Sequence, residues 1–285
     1  MVATGPSPLT RYTGYLLRRA YVRATGCAQA CMPEDTQVRE VAALSILAER
    51  GPLSQHALGT IAHVNRSLVV KLVDTLESKH WVVRERSEQD RRTYALRLTD
   101  AGRCALADVV AGLDESESAL TRGLSPEETR RLQAWLILLL SDDPSVGITS
   151  LSARTGYLLA HSHRWARELA AQRLEPLGIE PRDFGLLSTL AGEQPCSQNR
   201  LAAGLGISAP GVIPMVAELE QAGLVSRARN QDDRRVYDLT LTDHGQQMLV
   251  RAQQVAAGVQ EEIRGRLGAG SDEDLRALLA KLIAG

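Results

Sequence analysis

Residues Ser87 to Gly102 read SEQDRRTYALRLTDAG, and residues Asn230 to Gly245 read NQDDRRVYDLTLTDHG. Nine of the sixteen positions are identical at a spacing of 143 residues, whereas two unrelated segments of this length would share roughly one. The match predicts that the chain is an internal duplication with one structural unit in each half.

The repeated segment has the pattern of a strand that follows a polar turn. Tyr94, Leu96 and Leu98 stand at alternate positions, which is typical of a half-buried strand. A matching first arm precedes the turn at residues 81–86 in the first half and 224–229 in the second. Each half is therefore expected to hold a β-hairpin with four arginines. These are Arg84, Arg86, Arg91 and Arg92, and then Arg227, Arg229, Arg234 and Arg235.

Short helices are predicted immediately upstream of each hairpin. Asn65 and Ser208 are typical helix caps, and the helices that they open are expected to end near Lys79 and Ala222. A helix followed by a basic hairpin indicates a winged helix-turn-helix. The predicted fold class is mainly α with small β-hairpin wings, as two winged helix-turn-helix units in tandem.

Short motifs in both halves resemble the MarR (multiple antibiotic resistance regulator) family. The first half has LE at 76–77, WVVR at 81–84, DRR at 90–92 and LTDAG at 98–102. The second half has LE at 219–220, GLVSR at 223–227, DRR at 233–235 and LTDHG at 241–245. The combination is specific, whereas DRR alone would not be. In that family a protomer about as long as one half of this chain pairs with an identical protomer. The resemblance therefore implies that the two halves form an intramolecular pseudo-dimer in a monomeric chain.

The duplication sets the expected domain boundaries. We expect a loose tail at residues 1–9, a first unit at 10–141, a linker at 142–150 and a second unit at 151–285. The first helix of the first unit is expected to begin at Thr10, and the next at Pro33.

The composition is that of an ordinary globular protein. The chain has 285 residues, 44% hydrophobic and 24% charged, with a net charge of −1. This length accommodates two domains with real cores, and the charge confines any attraction for nucleic acid to the arginine-rich hairpins. The longest apolar run, residues 135–140, is far too short to span a bilayer, and the first ten residues lack a signal pattern. The expected location is the cytoplasm, without a membrane partner.

The four cysteines are too few and too scattered for a disulfide framework. Cys27 and Cys31 lie one helical turn apart, a spacing that suits a redox pair or half of a metal site, and some peroxide-sensing relatives use a thiol near their first helix. The second half has no equivalent pair, and no matching His or Cys pair lies nearby, which favours a plain packing role. No metal site and no cofactor are predicted.

The first half offers a helix suited to DNA. Behind the cap Asn65, the side chains of Arg66, Ser67 and Lys71 stand at the start of the helix. A major-groove reader presents its side chains there, and the free backbone N–H groups favour phosphate.

The second half differs at the same place. Behind Ser208 come Ala209 and Pro210, and Pro214 is expected to bend or break the helix because it removes a hydrogen bond. These residues include no side chain suited to base edges. The first half departs too, because His80 stands where relatives commonly have glycine before the wing, so we expect strain in that turn.

The wing arginines have two interpretations. The repeated DRR suits an internal ion pair that holds the hairpin tip, and we assign one arginine of each tip to that role. The other arginine would reach a phosphate or the minor groove. The wings therefore favour DNA binding, without symmetrical reading by the two halves.

The first helix of each half carries the remaining chemistry. TGYLL at 13–17 recurs at 155–159, and in the second half a Tyr, a His and a Trp follow four residues apart on one face. The family resemblance implies a ligand site for small aromatic acids and phenols beside this helix, which suits stacking and hydrogen bonding. The alternative is that these side chains only pack the interface between the two halves and bind no ligand. The candidate ligand residues are Tyr12, Tyr15, Arg19, Tyr157, His161 and Trp165.

Two functional hypotheses follow. In the first, the chain is a ligand-responsive transcriptional regulator that binds double-stranded DNA at a pseudo-palindromic or asymmetric site. A small aromatic or phenolic effector regulates this binding. In the second, the scaffold has become a small-molecule-binding protein or an enzyme of aromatic or secondary metabolism. There His161 would act as general acid or base and Tyr157 as hydrogen-bond donor. No nucleophile or phosphate-binding loop supports an enzyme directly.

Overall fold

The structure, a computed structural model, describes residues 7–33, 35–86, 94–230, 237–268 and 270–285. Its helices are α1 (Thr13–Cys31), α2 (Val38–Arg50), α3 (Gln55–Ile61), α4 (Arg66–Ser78), α5 (Asp100–Thr121), α6 (Pro126–Leu139), α7 (Thr149–Ser152), α8 (Thr155–Leu174), α9 (Pro181–Glu193), α10 (Gln198–Leu205), α11 (Ala209–Gln221), α12 (Asp243–Leu267) and α13 (Ser271–Ala284). Its strands are β1 (Leu53–Ser54), β2 (Val82–Arg86), β3 (Tyr94–Leu98), β4 (Cys196–Ser197), β5 (Val225–Arg229) and β6 (Tyr237–Leu241). The predicted fold class is confirmed.

Each half contains an antiparallel sheet of three strands, in the orders β1-β3-β2 and β4-β6-β5. The predicted hairpins are the pairs β2-β3 and β5-β6, in which Arg86 lies opposite Tyr94 and Arg229 opposite Tyr237. The alternation holds for Leu96, which is buried, but Tyr94 at the turn end of its strand is exposed. The strands β1 and β4 have only two residues each, too few for a pattern in the sequence to reveal.

The repeated motif LTDxG joins each sheet to the long helix that follows it. The hydroxyl of Thr99 accepts a hydrogen bond from the Gly102 N–H (3.0 Å) and donates one to the His80 carbonyl oxygen (2.7 Å). At Gly102 an added Cβ would overlap the carbonyl oxygen of Trp81. The cap and the close approach together explain why threonine and glycine recur at these positions.

The second half repeats this joint. Thr242 accepts from the Gly245 N–H (2.9 Å) and donates to the Gly223 carbonyl oxygen (2.6 Å). A Cβ on Gly245 would overlap the carbonyl oxygen of Leu224. The duplication therefore preserves the contacts between the sheet and the following helix as well as the residues that make them.

The chain forms two compact units, and each takes segments from both halves of the sequence. The N-unit comprises Leu17–His163 and Ala277–Gly285, and the C-unit comprises Met1–Leu16 and Arg164–Arg276. In the N-unit, a buried cluster that includes Leu44, Leu58 and Leu76 joins α2, α3 and α4 to the sheet.

The C-unit core includes a residue from the start of the chain. Leu9 is 3% exposed and belongs to a cluster with Leu186, Leu190 and Leu219. It lies in a 3-10 helix, Pro8–Arg11. The segment assigned to a loose tail thus ends in an ordered turn whose leucine fills the core.

The first helix of each half is held at its start by a helix of the other half. In the N-unit, Glu117 of α5 accepts hydrogen bonds from the N–H groups of Thr155 (2.9 Å) and Gly156 (3.4 Å), which open α8. In the C-unit, Gln260 of α12 accepts one from the Thr13 N–H (3.1 Å), which opens α1. The first N–H groups of a helix have no hydrogen-bond acceptor within the helix. The side chains of Glu117 and Gln260 supply these acceptors.

The expected start of α2 is wrong. The helix begins at Val38 instead of Pro33, because Gln37 and Glu40 form a capping box at that point. The Glu40 carboxylate accepts a hydrogen bond from the Gln37 N–H (3.1 Å) and pairs with Lys79 (2.8 Å). The expected break at Pro214 is also wrong, because α11 runs from Ala209 to Gln221 with this proline inside it, whereas the expected bend stays a prediction.

The segment expected to be a linker is ordered. It contains a 3-10 helix, Pro144–Gly147, followed directly by α7. Ser145 and Ile148 are fully buried, and Glu49 of α2 accepts a hydrogen bond from the Ser150 N–H at 3.1 Å. This segment is therefore part of the packed N-unit.

Among the described residues, no single helix is both long enough and apolar enough to cross a membrane. The consecutive helices α10 and α11 satisfy the criterion only when they are taken together, by length and composition, and they are bent by 106°.

His80→Gly is expected to raise the free energy of unfolding by about 1 kcal/mol. His80 has φ +59, and the equivalent residue of the second half is Gly223 with φ +69. A side chain in this left-handed region costs roughly 1–2 kcal/mol, which the chain entropy of glycine partly offsets. Urea unfolding followed by circular dichroism measures the change. The reciprocal variant Gly223→Ala should lower the stability by a similar amount, and a lower midpoint for His80→Gly would contradict the explanation.

Glu117→Ala is expected to lower the free energy of unfolding by about 1–2 kcal/mol, because two N–H groups at the start of α8 lose their acceptor. The matched control is Glu115→Ala, which removes an exposed carboxylate from the same helix. Equal losses in the two variants would show that the capping contact contributes nothing beyond helix propensity and charge.

Candidate functional sites

The amino end of α4 presents a polar, cationic surface. Asn65 caps the helix, and its side-chain oxygen accepts from the Leu68 N–H (2.9 Å) and from the Ser67 hydroxyl (2.9 Å). Arg66 and Lys71 are exposed, and no ion pair of either is found within the described part of the chain. The opposite face of the helix is anchored by buried residues, which are Val69, Leu72, Val73 and Leu76. The N-unit thus holds two exposed cations rigidly beside a helix amino terminus.

The amino end of α11 has a different character. Ser208 makes no side-chain cap bond, and the exposed positions that follow are Pro210, Gly211, Ile213 and Pro214. The helix contains no Lys or Arg and carries two glutamates. Its surface is apolar at the start and acidic toward the end, which suits neither phosphate nor base edges.

The wing arginines within the described residues divide into two kinds. Arg84 pairs with Asp74 (2.8 Å) and with Glu77 of α4, and Arg227 lies over the ring of Tyr237 at 4.8 Å. Arg86 and Arg229 are exposed on the strands nearer the turn. Arg84 thus ties its wing to α4 and Arg227 packs within its own wing, whereas Arg86 and Arg229 face solvent.

The hairpin turns themselves are not described. Arg91, Arg92, Arg234 and Arg235, the four arginines of the repeated DRR motif, lie outside the described residues. Their assignment to DNA contacts or to an internal ion pair stays a prediction.

The predicted ligand residues fall in both units. In the C-unit, Tyr12 packs edge-on against Phe184 with ring centroids 5.3 Å apart, and Trp165 lies against the guanidinium of Arg266 at 4.8 Å. Tyr15 packs on the same core as Tyr12. All three aromatic side chains thus make packing contacts in the C-unit, and their assignment to a ligand site stays a prediction.

In the N-unit, His161 and Tyr157 belong to a cluster that the sequence did not predict. Their ring centroids lie 4.2 Å apart. The Asp143 carboxylate meets His63 Nε2 at 2.7 Å and His161 Nδ1 at 3.6 Å, and the Ser145 hydroxyl lies 3.2 Å from the same Nδ1. The third predicted N-unit residue, Arg19, is exposed on α1.

The electrostatics of this cluster centre on Asp143. Burial by itself raises the pKa of the Asp143 carboxyl, but hydrogen bonds from His161, His63 and Ser145 outweigh burial and hold this pKa well below its usual value. The carboxylate is therefore ionised at neutral pH, between two imidazoles whose centroids are 5.1 Å apart.

His63 occupies an unusual backbone position. It lies in the turn between α3 and α4 with φ +52, and the equivalent residue of the second half is Gly206 with φ +65. A histidine where the other half of a duplicated chain has glycine is a signal that comparison of the halves could have found. Asp143 gave no such signal, because it lies in the expected linker.

The cysteines show no redox arrangement within the described residues. Cys27 and Cys31 lie on the continuous helix α1 and are both reduced, and residues four apart on a helix hold their Cβ atoms about 5–6 Å apart, too far for a disulfide. Burial, the carboxylate of Glu115 and the neighbouring thiol raise the pKa of Cys31. The raised pKa disfavours the reactive thiolate form.

Comparisons with known proteins match this architecture. Profiles described as MarR family match residues 37–94 and 177–236. The chain is 30% identical over 145 residues to the HTH-type transcriptional repressor NicR of Pseudomonas putida strain KT2440. The matched region covers 50% of this chain and 90% of that protein.

Solved structures give similar partial matches. The transcriptional repressor CouR, bound to a 23-mer DNA duplex, is 30% identical with a TM-score of 0.46, over 47% of this chain and 94% of that one. A cysteine-to-serine mutant of MarR from E. coli, complexed with operator DNA, is 23% identical with a TM-score of 0.43, over 48% of this chain and 95% of that one.

Proposed function

Since this chain belongs to the MarR family of transcriptional regulators and carries two such units in tandem, we propose that it is a ligand-responsive regulator that binds double-stranded DNA as an intramolecular pseudo-dimer. The observation that carries the proposal is the pair of exposed cations, Arg66 and Lys71, at the rigid amino end of α4. Such a helix end supplies both side chains for base edges and N–H groups for phosphate.

The two halves would contribute unequally to DNA binding. Arg66 and Lys71 of α4 read bases, while α11 lacks cations and does not. Exposed arginines on both wings, Arg86 and Arg229, contact phosphate or the minor groove. The operator is therefore asymmetric in its base-specific contacts, even where its two half-sites are similar in sequence.

The exchange of helix caps supports the pseudo-dimer. In each unit the first helix of one half depends on a side chain from the other half, Glu117 in one case and Gln260 in the other. In a chain built in this way, each half supplies a helix-capping side chain to the other half, as the two identical protomers of a dimer would do for each other. The protein acts in the cytoplasm, together with the DNA that it binds.

The effector is a small aromatic or phenolic molecule that binds beside Tyr157 and His161. These rings offer stacking and a hydrogen-bonding nitrogen close together, a combination that suits a flat, weakly acidic compound. They lie in the same unit as the turn that precedes α4, so a ligand that displaces His161 would alter the support of that turn.

The second candidate function is a scaffold that has left DNA and binds or converts small molecules. The apolar start of α11, with Pro210 and Pro214, favours it because one half has lost its reading surface. Mass spectrometry of candidate aromatic compounds incubated with the protein separates the two functions. Product formation that is lost in His161→Ala would establish the second.

Arg66→Ala and Lys71→Ala are each expected to weaken binding to a preferred duplex by about 10- to 100-fold and to relax its sequence preference. Each should change the slope of log affinity against log salt by less than one, because that slope counts phosphate contacts and these side chains read bases. Gel-shift titrations at several salt concentrations measure both effects, on the protein's own upstream region and on duplexes selected from a random library. Arg130→Ala, which removes an exposed arginine of α6, is the matched control. Absence of any shift at low salt would overturn the proposal.

An aromatic carboxylate or phenol that binds the protein is expected to bind His161→Gln at least about tenfold more weakly, because the ligand loses its hydrogen-bond partner. Isothermal titration in chelator-treated buffer measures the affinity. The matched control is His163→Gln, two residues along α8, which should leave the affinity unchanged. Equal affinities in all three proteins would place the effector elsewhere.

A further inference from the structure

Three groups of the kind that bind metal ions meet in the N-unit. They are His63 of the turn between α3 and α4, Asp143 beside the 3-10 helix that follows α6, and His161 of α8. Their ligand atoms, two imidazole nitrogens and a carboxylate oxygen, all lie within 4.8 Å of one another. Nothing in the spacing of these residues along the sequence suggests a site, because 80 residues separate the first from the second.

We propose that His63, Asp143 and His161 form a binding site for a divalent transition-metal ion of the zinc type. Two imidazoles and one carboxylate, with a fourth position open to water, are a ligand set that Zn²⁺ accepts in tetrahedral geometry. The proposal goes beyond the regulatory function, and metal binding itself does not depend on it.

The ligand atoms are close enough for side-chain rotation to bring them around one ion. Ligand atoms about 2.0–2.1 Å from a tetrahedral ion lie about 3.3 Å from one another. The two carboxylate oxygens of Asp143 face different rings, Oδ1 at 2.7 Å from His63 Nε2 and Oδ2 at 3.6 Å from His161 Nδ1. One ligand atom from each of the three residues lies within 4.8 Å of the other two, so rotation of the side chains would have to bring these atoms to the tetrahedral spacing.

The surroundings would orient the carboxylate. The backbone N–H of Ser145 donates to Asp143 Oδ1 at 2.9 Å, the kind of outer contact that holds a ligating carboxylate in place. Both ligating nitrogens, His63 Nε2 and His161 Nδ1, must carry no proton when the ion binds, so each ring would hold its proton on the other nitrogen and any further proton would leave to solvent. The Ser145 hydroxyl, now 3.2 Å from His161 Nδ1, would turn away from that nitrogen.

His63 contributes to this cluster from an unusual backbone conformation. Its φ of +52 lies in the region that Gly206 occupies in the second half, and strained positions of this kind cluster at functional sites. His80 shows that the chain also tolerates histidine at such a position without a metal-ligand set around it among the described residues. What sets His63 apart is that its ring faces a carboxylate and a second imidazole.

An ion at this position would join the helix-turn-helix turn to α8. His63 lies three residues before Arg66, so coordination would fix the turn that leads into the candidate reading helix. The consequence for DNA affinity rests on the proposed function, whereas the metal site can be tested without DNA.

The test is a titration of the chelator-treated, full-length chain with Zn²⁺, in competition with a chromophoric chelator. We expect one ion per chain at this site. Co²⁺ in its place should give the intense visible absorption of four-coordinate cobalt. His63→Gly and His161→Gln are each expected to lower the affinity by more than about tenfold, as removal of even an outer contact does. His63→Gly keeps the turn intact, because glycine occupies the equivalent position in the second half.

The matched control is His80→Gly, which makes the same substitution at the other left-handed histidine and should bind Zn²⁺ and Co²⁺ as the unaltered chain does. Binding that is unchanged in His63→Gly and His161→Gln would show an adventitious surface site and overturn the proposal. So would the weak absorption of six-coordinate Co²⁺, or equal losses in all three variants. A protein that binds Zn²⁺ as expected but no DNA would leave the metal site standing and refute only the regulatory function.

Discussion

The unsatisfied N–H groups at the start of a helix are the constraint on which this architecture depends. In the first helix of each half, α1 and α8, those groups are met by the side chain of a long helix from the other half, through Gln260 and Glu117. Exchange of this kind means that neither half of the sequence completes its own compact unit. The division of the chain into an N-unit and a C-unit therefore cuts across the sequence repeat.

Within each half, a second constraint fixes the wing. The helix after the wing starts so close to the residue that precedes the first strand of the wing, Trp81 or Leu224, that residues 102 and 245 have no space for a side chain. A threonine three residues earlier caps the helix. These contacts explain why duplication preserved LTDxG while the turns nearby diverged. The reading helices diverged much further, since α4 retains exposed cations at its start and α11 presents prolines and an exposed isoleucine.

Divergence between the halves has also created chemistry that a symmetrical pair would lack. Glycine at 206 and 223 relaxes two turns in the second half, whereas the first half holds histidine at both equivalent positions. One of these, His63, faces Asp143 and His161, and the positions equivalent to the two histidines hold Gly206 and Arg19. The fused chain can therefore carry a site in one unit only, which an identical pair of protomers cannot do.

The sequence by itself determined the winged helix-turn-helix fold, the tandem repeat and the two arms of each hairpin. Each rests on local signals, which are alternating leucines, helix caps and a motif that returns after 143 residues. Two predictions from local signals failed. The capping box of Gln37 and Glu40 moved the start of α2, and the helix α11 continued through Pro214.

Only the tertiary structure decided which residues meet. It placed Tyr157 and His161 together with His63 and Asp143, assigned Tyr12 and Trp165 to packing contacts of the C-unit, and engaged Arg84 with two carboxylates. The physical reason is separation along the chain. Periodicity reports the face on which a side chain lies, but a cluster drawn from a turn, a connecting segment and a distant helix exists only once the chain has folded.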